Sequence, residues 1–486
     1  MSKLKLTGFV LGPLLFLIVF FLLKTSTDLN LEACKVLGLA AWMVSWWVTE
    51  AVHVSVTALV PMAMLPILGV MSIREATSAY GDPVIYLFMG GFMLALGLEK
   101  HNLHQRIALN LIKRTGTSGN GIIAGFMLAT GFISMWISNT ATAIMMLPIA
   151  VSVTKLLGEE MFSTKVAEKN YKNFATGLML SIAYAASVGG MATIIGTPPN
   201  VVMVGLYRQT YYQDITFLQW FKVGLPVSVV IMTLCYLMIT RLTFPNHIKN
   251  VEGSAELIND KLSALGRISR QEKFVLVIFF LTSFCWIFRP FINDWLSLLF
   301  YDGDSKNILD DTVIAIAGGL LMFAVPVNVR TGEFIITWED TKKLPWGILI
   351  LFGGGMCLAK SMEEAGLIQR VGEAIANLGT VKLWVMIVIL TSMSLLLTEF
   401  MSNVALTTIF VPVVFGIANA FGFDPLSLAM AVTFAASCAF TLPVSTPPNA
   451  ILFASGHIQL SDMIRAGILL DIFSLIIIAA LSLAFI

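Results

Sequence analysis

Two short polar motifs interrupt apolar stretches that are otherwise long enough to cross a membrane. Residues 138–142 (SNTAT) stand in the middle of the apolar stretch 120–154, and residues 402–403 (SN) stand in the middle of 381–417. Ser, Asn and Thr cap helix starts, and a helix that starts inside a bilayer exposes unsatisfied N–H groups and the positive end of its dipole. Such a turn favours a carboxylate without a buried Arg. The alternative, polar side chains that only join packed helices, is disfavoured because the motif occurs twice.

A second pair of motifs combines threonine, proline and asparagine. Residues 197–200 and 446–449 both read TPPN. Because proline lacks a backbone donor, each motif is expected to break a membrane helix and to leave carbonyl oxygens free upstream. Carbonyl, amide and hydroxyl oxygens are uncharged hard ligands, which fits Na⁺. For a single copy, the alternative is a proline kink that only shapes helix packing.

The paired motifs belong to an internal repeat. Residues 86–149 can be laid over 350–413 without a gap, and 10 of the 23 positions that align Tyr86–Ala108 with Ile350–Gly372 are identical. This register also places the two Ser-Asn motifs on each other. A repeat of this length indicates a duplicated architecture.

The composition predicts a membrane protein and not an enzyme. The chain has 486 residues, of which 57% are hydrophobic and 12% are charged, and its mean hydropathy is +0.86. A soluble protein carries about 25% charged residues. The 30 basic and 29 acidic residues are scattered, which disfavours a nucleic-acid partner. The five cysteines lie singly, and the sequence contains no zinc-protease, serine-hydrolase or phosphate-loop motif.

Apolar stretches of about 20 residues predict the membrane-spanning helices. The eleven candidates are residues 7–23, 34–52, 53–70, 83–100, 172–195, 220–242, 272–290, 311–326, 345–362, 425–444 and 464–486. The two stretches that carry Ser-Asn are too long for one span, so each is predicted to form a re-entrant helical hairpin. Short amphipathic segments at 105–114 and 367–378 are expected to brace the hairpins. The predicted fold class is an all-α polytopic membrane protein with eleven transmembrane helices and two hairpins.

The distribution of Lys and Arg predicts the orientation. With the N-terminus in the cytoplasm, 20 Lys and Arg residues lie on the inner side and 10 on the outer side, as the positive-inside rule requires. The chain then divides into an N-terminal span (1–33), a first repeat (34–242), a cytoplasmic linker (243–271) and a second repeat (272–486), with the C-terminus outside. An odd number of spans in each repeat makes the repeats inverted, so both hairpin tips and both broken helices meet near the midplane. We expect the protein in the cell membrane (inner or plasma membrane).

Four ionisable residues fall in or near the predicted spans: Glu50, His53, Glu399 and Asp471. Such residues are functional candidates inside a membrane. Three of the four lie near a span or hairpin boundary, and they form no matched pair between the repeats. Only Glu399, three residues before Ser402, is retained as a candidate that shapes an ion site.

On these motifs the sequence resembles the divalent anion/sodium symporter family of dicarboxylate and citrate carriers, from about residue 34 to the end. The resemblance implies that both Ser-Asn tips and both Thr-Pro breaks bind the substrate carboxylates. The implied substrate residues are Ser138, Asn139, Thr140, Thr197, Pro198, Ser402, Asn403, Thr446 and Pro447. The implied ligands of a first Na⁺ are Ser134, Ser138, Asn139 and Gly196, and those of a second Na⁺ are Thr398, Met401, Asn403 and Ser445.

The resemblance also implies a homodimer in the lipid bilayer and an elevator-type movement. The implied function is Na⁺-coupled symport of C4 dicarboxylates such as succinate, malate or fumarate. One departure is that Val404 stands where the second tip would carry Thr, which leaves room for citrate or another divalent anion. Two rival functions fit the same motifs: a Na⁺-independent dicarboxylate exchanger and, from a different class, a channel or membrane sensor.

Overall fold

The computed structural model describes residues 3–160, 165–300, 308–328, 330, 332–376, 379 and 381–484. Nearly all of the described residues lie in helices or in the short turns that join them. One antiparallel pair of short strands, β1 (Pro326–Asn328) and β2 (Glu333–Phe334), stands apart from this pattern. The predicted fold class, an all-α membrane protein, is confirmed.

Thirteen helices of the described chain lie before the second repeat. They are α1 (Lys3–Ser26), α2 (Leu31–Thr49), α3 (Val54–Thr57), α4 (Val60–Ile67), α5 (Ile73–Ser78), α6 (Pro83–Lys100), α7 (Leu103–Arg114), α8 (Gly119–Ser134), α9 (Asn139–Glu160), α10 (Lys165–Gly190), α11 (Pro198–Tyr211), α12 (Phe217–Leu237) and α13 (Ser254–Ala264). A 3₁₀ turn at Ala79–Gly81 precedes α6, and a π-helical turn at Met238–Thr243 continues α12.

Nine further helices of the described chain follow. They are α14 (Arg270–Phe300), α15 (Asp311–Ala324), α16 (Trp346–Glu364), α17 (Leu367–Ala376), α18 (Leu383–Thr398), α19 (Asn403–Phe421), α20 (Pro425–Ser437), α21 (Pro447–Phe453) and α22 (Leu460–Ala484). A 3₁₀ helix at Trp338–Lys343 precedes α16.

Seven consecutive helices, α6 to α12, have counterparts in the same order in α16 to α22. In both hairpins a four-residue turn joins the two helices, at residues 135–138 and 399–402. In both copies an irregular segment separates the next helix from one that begins at the first proline of TPPN. The helical hairpins and the broken helices therefore lie at the positions that the sequence predicts.

Three predicted spans differ from the structure: 53–70 is split into two helices, and 172–195 and 425–444 end their helices early, at Gly190 and Ser437. The stretch 53–70 was expected to form one helix but forms two, α3 and α4, because Pro61 begins a new helix as one of its first residues. The stretch 425–444 ends its helix at Ser437, seven residues early. There the backbone leaves helical geometry before the TPPN motif, so the break is longer than the two prolines alone require.

Eight helices of the described chain are long and apolar enough to cross a membrane, and five shorter apolar helices accompany them. The long ones include α1, α2 and α12, and the short ones include both first arms of the hairpins, α8 and α18. The number of transmembrane helices and the re-entry of the hairpins into the membrane remain predictions.

Glycines allow close backbone contacts of the two corresponding helices α6 and α16. A Cβ on Gly90 of α6 would overlap the backbone of Ala315 in α15, and a Cβ on Gly354 of α16 would overlap the backbone of Ala58. The two glycines lie in corresponding helices, so both repeats use the same device. Close backbone approach of this kind is typical of membrane helices.

The amphipathic helices α7 and α17 act as the braces that the sequence predicts. Helix α7 packs against α8 of the first hairpin, and α17 packs against α19 of the second. Arg106 of α7 donates to the Glu272 carboxylate at 2.8 Å and to the Gly266 carbonyl at 3.0 Å. Arg370 of α17 donates to the carbonyl of Asp28 at 3.3 Å. Each brace is therefore fixed at a second point outside its hairpin.

Candidate ion and substrate site

At the first tip, several oxygens gather around one hydroxyl group. Ser134 Oγ lies 2.7 Å from Asn139 Oδ1 and 2.7 Å from the carbonyl oxygen of Ala186. A serine hydroxyl carries a single proton, so it can donate to only one of these two acceptors at a time. The other oxygen pair then lacks a proton, which is an arrangement that a cation stabilises.

A glycine makes room for this group of oxygens. A Cβ on Gly190 would lie 2.6 Å from Asn139 Oδ1 and 3.1 Å from the carbonyl oxygen of Gly196. Both oxygens therefore converge on the space above Gly190, which any side chain would fill. The structure thus brings Ser134, Asn139 and Gly196 together, and these are three of the four residues predicted for the first Na⁺.

Ser138, the fourth of these residues, takes part in helix capping. Its Oγ accepts from the backbone N–H of Ala141 at 3.3 Å, and its carbonyl accepts from the Thr142 hydroxyl at 3.1 Å. Helix α9 therefore begins at the tip, as the sequence predicts. The N–H groups of its first turn point out of the helix start, which favours negative charge there.

The second tip repeats the oxygen geometry with threonine in place of serine. Thr398 Oγ1 lies 2.9 Å from Asn403 Oδ1 and 2.6 Å from the carbonyl oxygen of Ala436. Ser445 occupies the break that faces this tip, and its hydroxyl donates to the Leu442 carbonyl at 2.7 Å. Two of the residues predicted for the second Na⁺, Thr398 and Asn403, are therefore in direct contact.

Met401 and Val404 complete the description of the second tip. Met401 lies in the turn between α18 and α19 and is half-buried. Val404 lies in the first turn of α19, at the place that Thr140 occupies in α9, and packs against the hydrophobic core. The second tip thus lacks the hydroxyl that Thr140 gives the first.

The asparagines of the TPPN motifs make contacts that the sequence analysis did not predict. Asn200 Nδ2 donates to the carbonyls of Gly190 (3.1 Å) and Thr193 (2.8 Å), and Asn449 Nδ2 donates to those of Ala439 (2.9 Å) and Leu442 (3.1 Å). Each amide thus joins the two ends of a broken helix. The sequence carries a signal for these contacts, because both copies of the TPPN motif end in Asn.

The threonines that precede the prolines begin α11 and α21. Thr446 Oγ1 accepts from the N–H of Asn449 at 3.3 Å, whereas the Thr197 side chain makes no cap bond. At the tips the pattern is reversed, because Ser138 makes a cap bond and Ser402 does not. Each repeat therefore leaves one of these hydroxyls outside helix capping.

Pro198 and Pro447 stand at the first position of α11 and α21. Pro198 is half-buried and Pro447 is exposed. A proline there fixes the backbone without removing a helical hydrogen bond, since the first N–H groups of a helix lack intrahelical partners. Their contribution to the site is therefore the sharp start of each helix.

The two repeats build a single centre. The second arm of each hairpin packs against the helix after the break of the other repeat, so that α9 contacts α21 and α19 contacts α11. The breaks also touch each other, because Cys438 Sγ lies 3.9 Å from Met191 Sδ. In addition, the hydroxyl of Tyr184 in α10 donates to the carbonyl of Phe440 in the second break at 3.0 Å. The predicted site residues of both repeats thus surround one region.

Glu399 makes the two halves of this centre unequal. Its carboxylate accepts from the backbone N–H groups of residues 440–442 at 2.8 to 2.9 Å. The residue at the same place in the first repeat is Met135, whose carbonyl accepts from the Thr193 hydroxyl at 2.6 Å. The second hairpin is therefore tied to its break by a carboxylate and the first by one neutral hydrogen bond. Asp471 lies nearby and accepts from the Thr441 hydroxyl at 2.7 Å.

The paired helical hairpins and broken helices define a class of polytopic membrane proteins in which duplicated halves enclose one polar centre. The sequence model described as "Sodium:sulfate symporter transmembrane region" matches residues 5–486. The chain therefore belongs to this sodium:sulfate symporter family and is an integral membrane protein. The resemblance to divalent anion/sodium symporters drawn from the motifs is confirmed.

Close relatives carry a consistent name. The chain is 38% identical over 475 residues to the "Sodium-dependent dicarboxylate transporter SdcS" of Staphylococcus saprophyticus. The aligned region covers 98% of this chain and 90% of the relative. The chain is 38% identical over 476 residues, with the same coverage, to the protein of that name in Staphylococcus aureus. These relatives are named transporters, in agreement with the prediction that the chain is not an enzyme.

Two solved structures share the fold. The Alcanivorax borkumensis YdaH transporter superposes with a TM-score of 0.58 at 14% identity and covers 99% of this chain and 98% of its own. Neisseria gonorrhoeae MtrF superposes with a TM-score of 0.58 at 11% identity and covers 96% and 97%. At this identity the likeness concerns the fold alone.

Proposed function

We propose that the protein is a secondary active transporter that couples Na⁺ movement to the uptake of C4 dicarboxylates such as succinate, malate or fumarate. The observation that carries the proposal is the duplicated tip. At each tip a hydroxyl oxygen lies 2.6 to 2.9 Å from an Asn side-chain oxygen and from a backbone carbonyl oxygen. The names of the relatives, sodium-dependent dicarboxylate transporters, support the same conclusion.

Each tip would hold one Na⁺. We assign the first ion to Ser134, Ser138, Asn139 and Gly196, and the second to Thr398, Met401, Asn403 and Ser445. Oxygen atoms of neutral groups suit a monovalent hard cation, and the space above Gly190 supports the first assignment. Each Asn then contacts both the ion and the substrate. Its side-chain oxygen faces the ion, and its backbone N–H lies at the start of a helix that faces the substrate.

The dicarboxylate would lie between the tips with one carboxylate at each. The assigned residues are Ser138, Asn139, Thr140, Thr197, Pro198, Ser402, Asn403, Thr446 and Pro447. None of these residues is charged, so helix starts and hydroxyls would supply the hydrogen bonds. The difference between Thr140 and Val404 makes the carboxylate sites unequal, and it keeps citrate or another divalent anion as the alternative substrate.

Coupling follows from the cost of burying charge. A dianion in a neutral site of low dielectric constant is unfavourable, and Na⁺ at both tips offsets that cost. We therefore infer that Na⁺ binds first and that substrate binding depends on it. The protein would act as a homodimer with its N-terminus in the cytoplasm and its C-terminus outside, and it would alternate access by an elevator-type movement of hairpins and broken helices.

The test is uptake of labelled succinate into proteoliposomes with and without an inward Na⁺ gradient. We expect concentrative, saturable uptake only with the gradient, whereas equal uptake in K⁺ would remove the coupling. Exchange without Na⁺ in succinate-loaded vesicles would indicate the exchanger instead, and non-saturable uptake would indicate a channel. Competition by unlabelled malate, fumarate, citrate and sulfate then establishes the substrate class.

A further inference from the structure

A cavity of about 410 Å³ lies away from the proposed transport site. It opens where α10 and α22 begin and where the chain leaves the π-helical turn after α12. We call it the basic cavity. It is lined by Lys169, Lys172, Asn173, Thr176, Leu242, Thr243, Phe244, Pro245, Asp462 and Arg465.

The described lining of the basic cavity contains three cationic side chains and one carboxylate. Lys169, Lys172 and Arg465 are exposed, and the salt bridges among the described residues include none of them. Asp462 accepts from the Gln459 N–H at 3.3 Å, which places it at the start of α22. The described lining of the cavity therefore has an excess of positive charge.

The neutral polar side chains of the cavity hold its walls in place. Asn173 Nδ2 donates to the Pro245 carbonyl at 2.8 Å, which joins α10 to the segment after α12. The Thr176 hydroxyl donates to the His457 carbonyl at 2.8 Å, which joins α10 to the loop before α22. The part of α10 that carries Lys169 and Lys172 is thus held by hydrogen bonds to the neighbouring segments.

The basic cavity lies at the boundary between polar and apolar sequence. Helix α10 becomes apolar from Phe174 onward, and α22 becomes apolar from Ala466 onward. Leu242, on the rim, is 62% exposed. This combination of cations and an exposed apolar side chain is expected where lipid headgroups meet the hydrocarbon region. In the predicted topology this is the cytoplasmic surface.

We propose that the basic cavity binds the phosphate group of an anionic phospholipid. Lysine offers a point charge and arginine a planar fork, and both bind phosphate oxygens. The exposed apolar rim favours a lipid over a free anion, because it can contact the acyl chains of the same molecule. This site is separate from the proposed transport centre and does not depend on the proposed function.

The test is lipid retention by the full-length purified protein, measured by native mass spectrometry during titration with phosphatidylglycerol or phosphatidylcholine. We expect preferential retention of phosphatidylglycerol. Combining Lys169→Gln, Lys172→Gln and Arg465→Gln should weaken that retention on the order of 100-fold, since each cation near a membrane surface contributes about 1 kcal/mol. Asp462→Asn, which removes the acid among the described lining residues, should strengthen this retention.

The matched control removes three exposed cations elsewhere on the predicted cytoplasmic surface, by Lys113→Gln, Arg114→Gln and Lys249→Gln. Unchanged retention in this control supports the proposal. Equal retention of the two lipids by the unmodified protein, or equal losses in both triple variants, would overturn it. Inorganic phosphate serves as a further arm: displacement of the lipid by millimolar phosphate would show a free-anion site and would also overturn the assignment to lipid.

Discussion

Asn139 and Asn403 each serve two neighbours at the tips. Each side-chain oxygen lies within 2.9 Å of a hydroxyl group, and each residue begins a helix at the hairpin turn. We predict that Asn139→Ala and Asn403→Ala each lower succinate uptake by at least about 100-fold, because each removes a side-chain oxygen proposed to bind Na⁺, on which substrate binding depends. Asn110→Ala is the control, since this exposed amide donates to the carbonyl of Arg106 within its own helix. Retained uptake in either tip variant would reduce the motif to a packing role.

Glu399 is expected to support the second ion site. Its carboxylate organises three backbone N–H groups of the break that carries Ser445. Glu399→Gln replaces one acceptor oxygen with a donor, so we expect the Na⁺ concentration for half-maximal uptake to rise roughly ten-fold. Met135→Gln, at the same place in the first repeat, should change it far less. Equal shifts in both variants would show that the carboxylate has no special part in the second ion site.

The sequence predicted the tip residues but not all of their partners. Ser-Asn and TPPN can be read from the chain because they are short and occur twice. The carbonyls of Ala186 and Ala436 cannot be read in this way, since any residue supplies a carbonyl and only the fold brings it to the tip. The position of Glu399 makes it a candidate from sequence, but only the fold brings its carboxylate to the N–H groups of a distant break.

At the scale of elements, the contact between α8 and α10 sets the position of the first hairpin. A Cβ on Gly189 would overlap the backbone of Gly131. We predict that Gly189→Ala lowers stability by about 1 to 3 kcal/mol, because the two helices must separate. The measurement is thermal unfolding of the purified protein in detergent. Gly81→Ala is the matched control, since a Cβ there meets nothing within 4 Å; an equal effect of both substitutions would contradict the account.

Asp340 connects the end of α6 to the 3₁₀ helix before α16. It accepts from Lys100 Nζ at 2.7 Å and from the N–H of Thr337 at 2.8 Å. Burial raises the pKa of this carboxyl, but the bonds from Lys100 and Thr337 outweigh burial and hold the pKa below its ordinary value. A lowered folded-state pKa stabilises the fold above the unfolded pKa, and this stabilisation is lost as the pH falls through the folded pKa.

The lowered pKa of Asp340 predicts how the effect of Asp340→Ala depends on pH. At neutral pH the variant should be less stable by about 1 kcal/mol. The difference from the unmodified protein should shrink below about pH 4, where the carboxylate becomes protonated. Thermal unfolding measured between about pH 3 and pH 7 checks this, and a difference that does not depend on pH would show that the contact is not ionic.

Element boundaries were predictable where turn chemistry marks them. Helix α6 begins at Pro83, as predicted, because Asp82 caps it and proline suits the first position. The prediction of one helix over 53–70 was wrong because hydropathy averages over the turn between α3 and α4. The early end of α20 at Ser437 could not be read, since neither proline nor glycine lies within the five residues that follow it.

At the scale of the molecule, the duplication is the organising feature. Two sets of seven helices follow the same order, and each hairpin packs on the broken helix of the other set. The repeat and the paired motifs predicted this correspondence from sequence. The inverted orientation, the homodimer and the elevator-type movement stay predictions, because they concern the membrane, a second copy and a second conformation.

The central claim is that Na⁺ at both tips creates the dicarboxylate site. It is tested most directly by equilibrium binding of labelled succinate to the purified protein in Na⁺ and in K⁺ at equal ionic strength. We predict saturable binding in Na⁺ only, and loss of this binding in both Asn139→Ala and Asn403→Ala. Succinate that binds equally well in K⁺, or that still binds when both asparagines are replaced, would contradict the account.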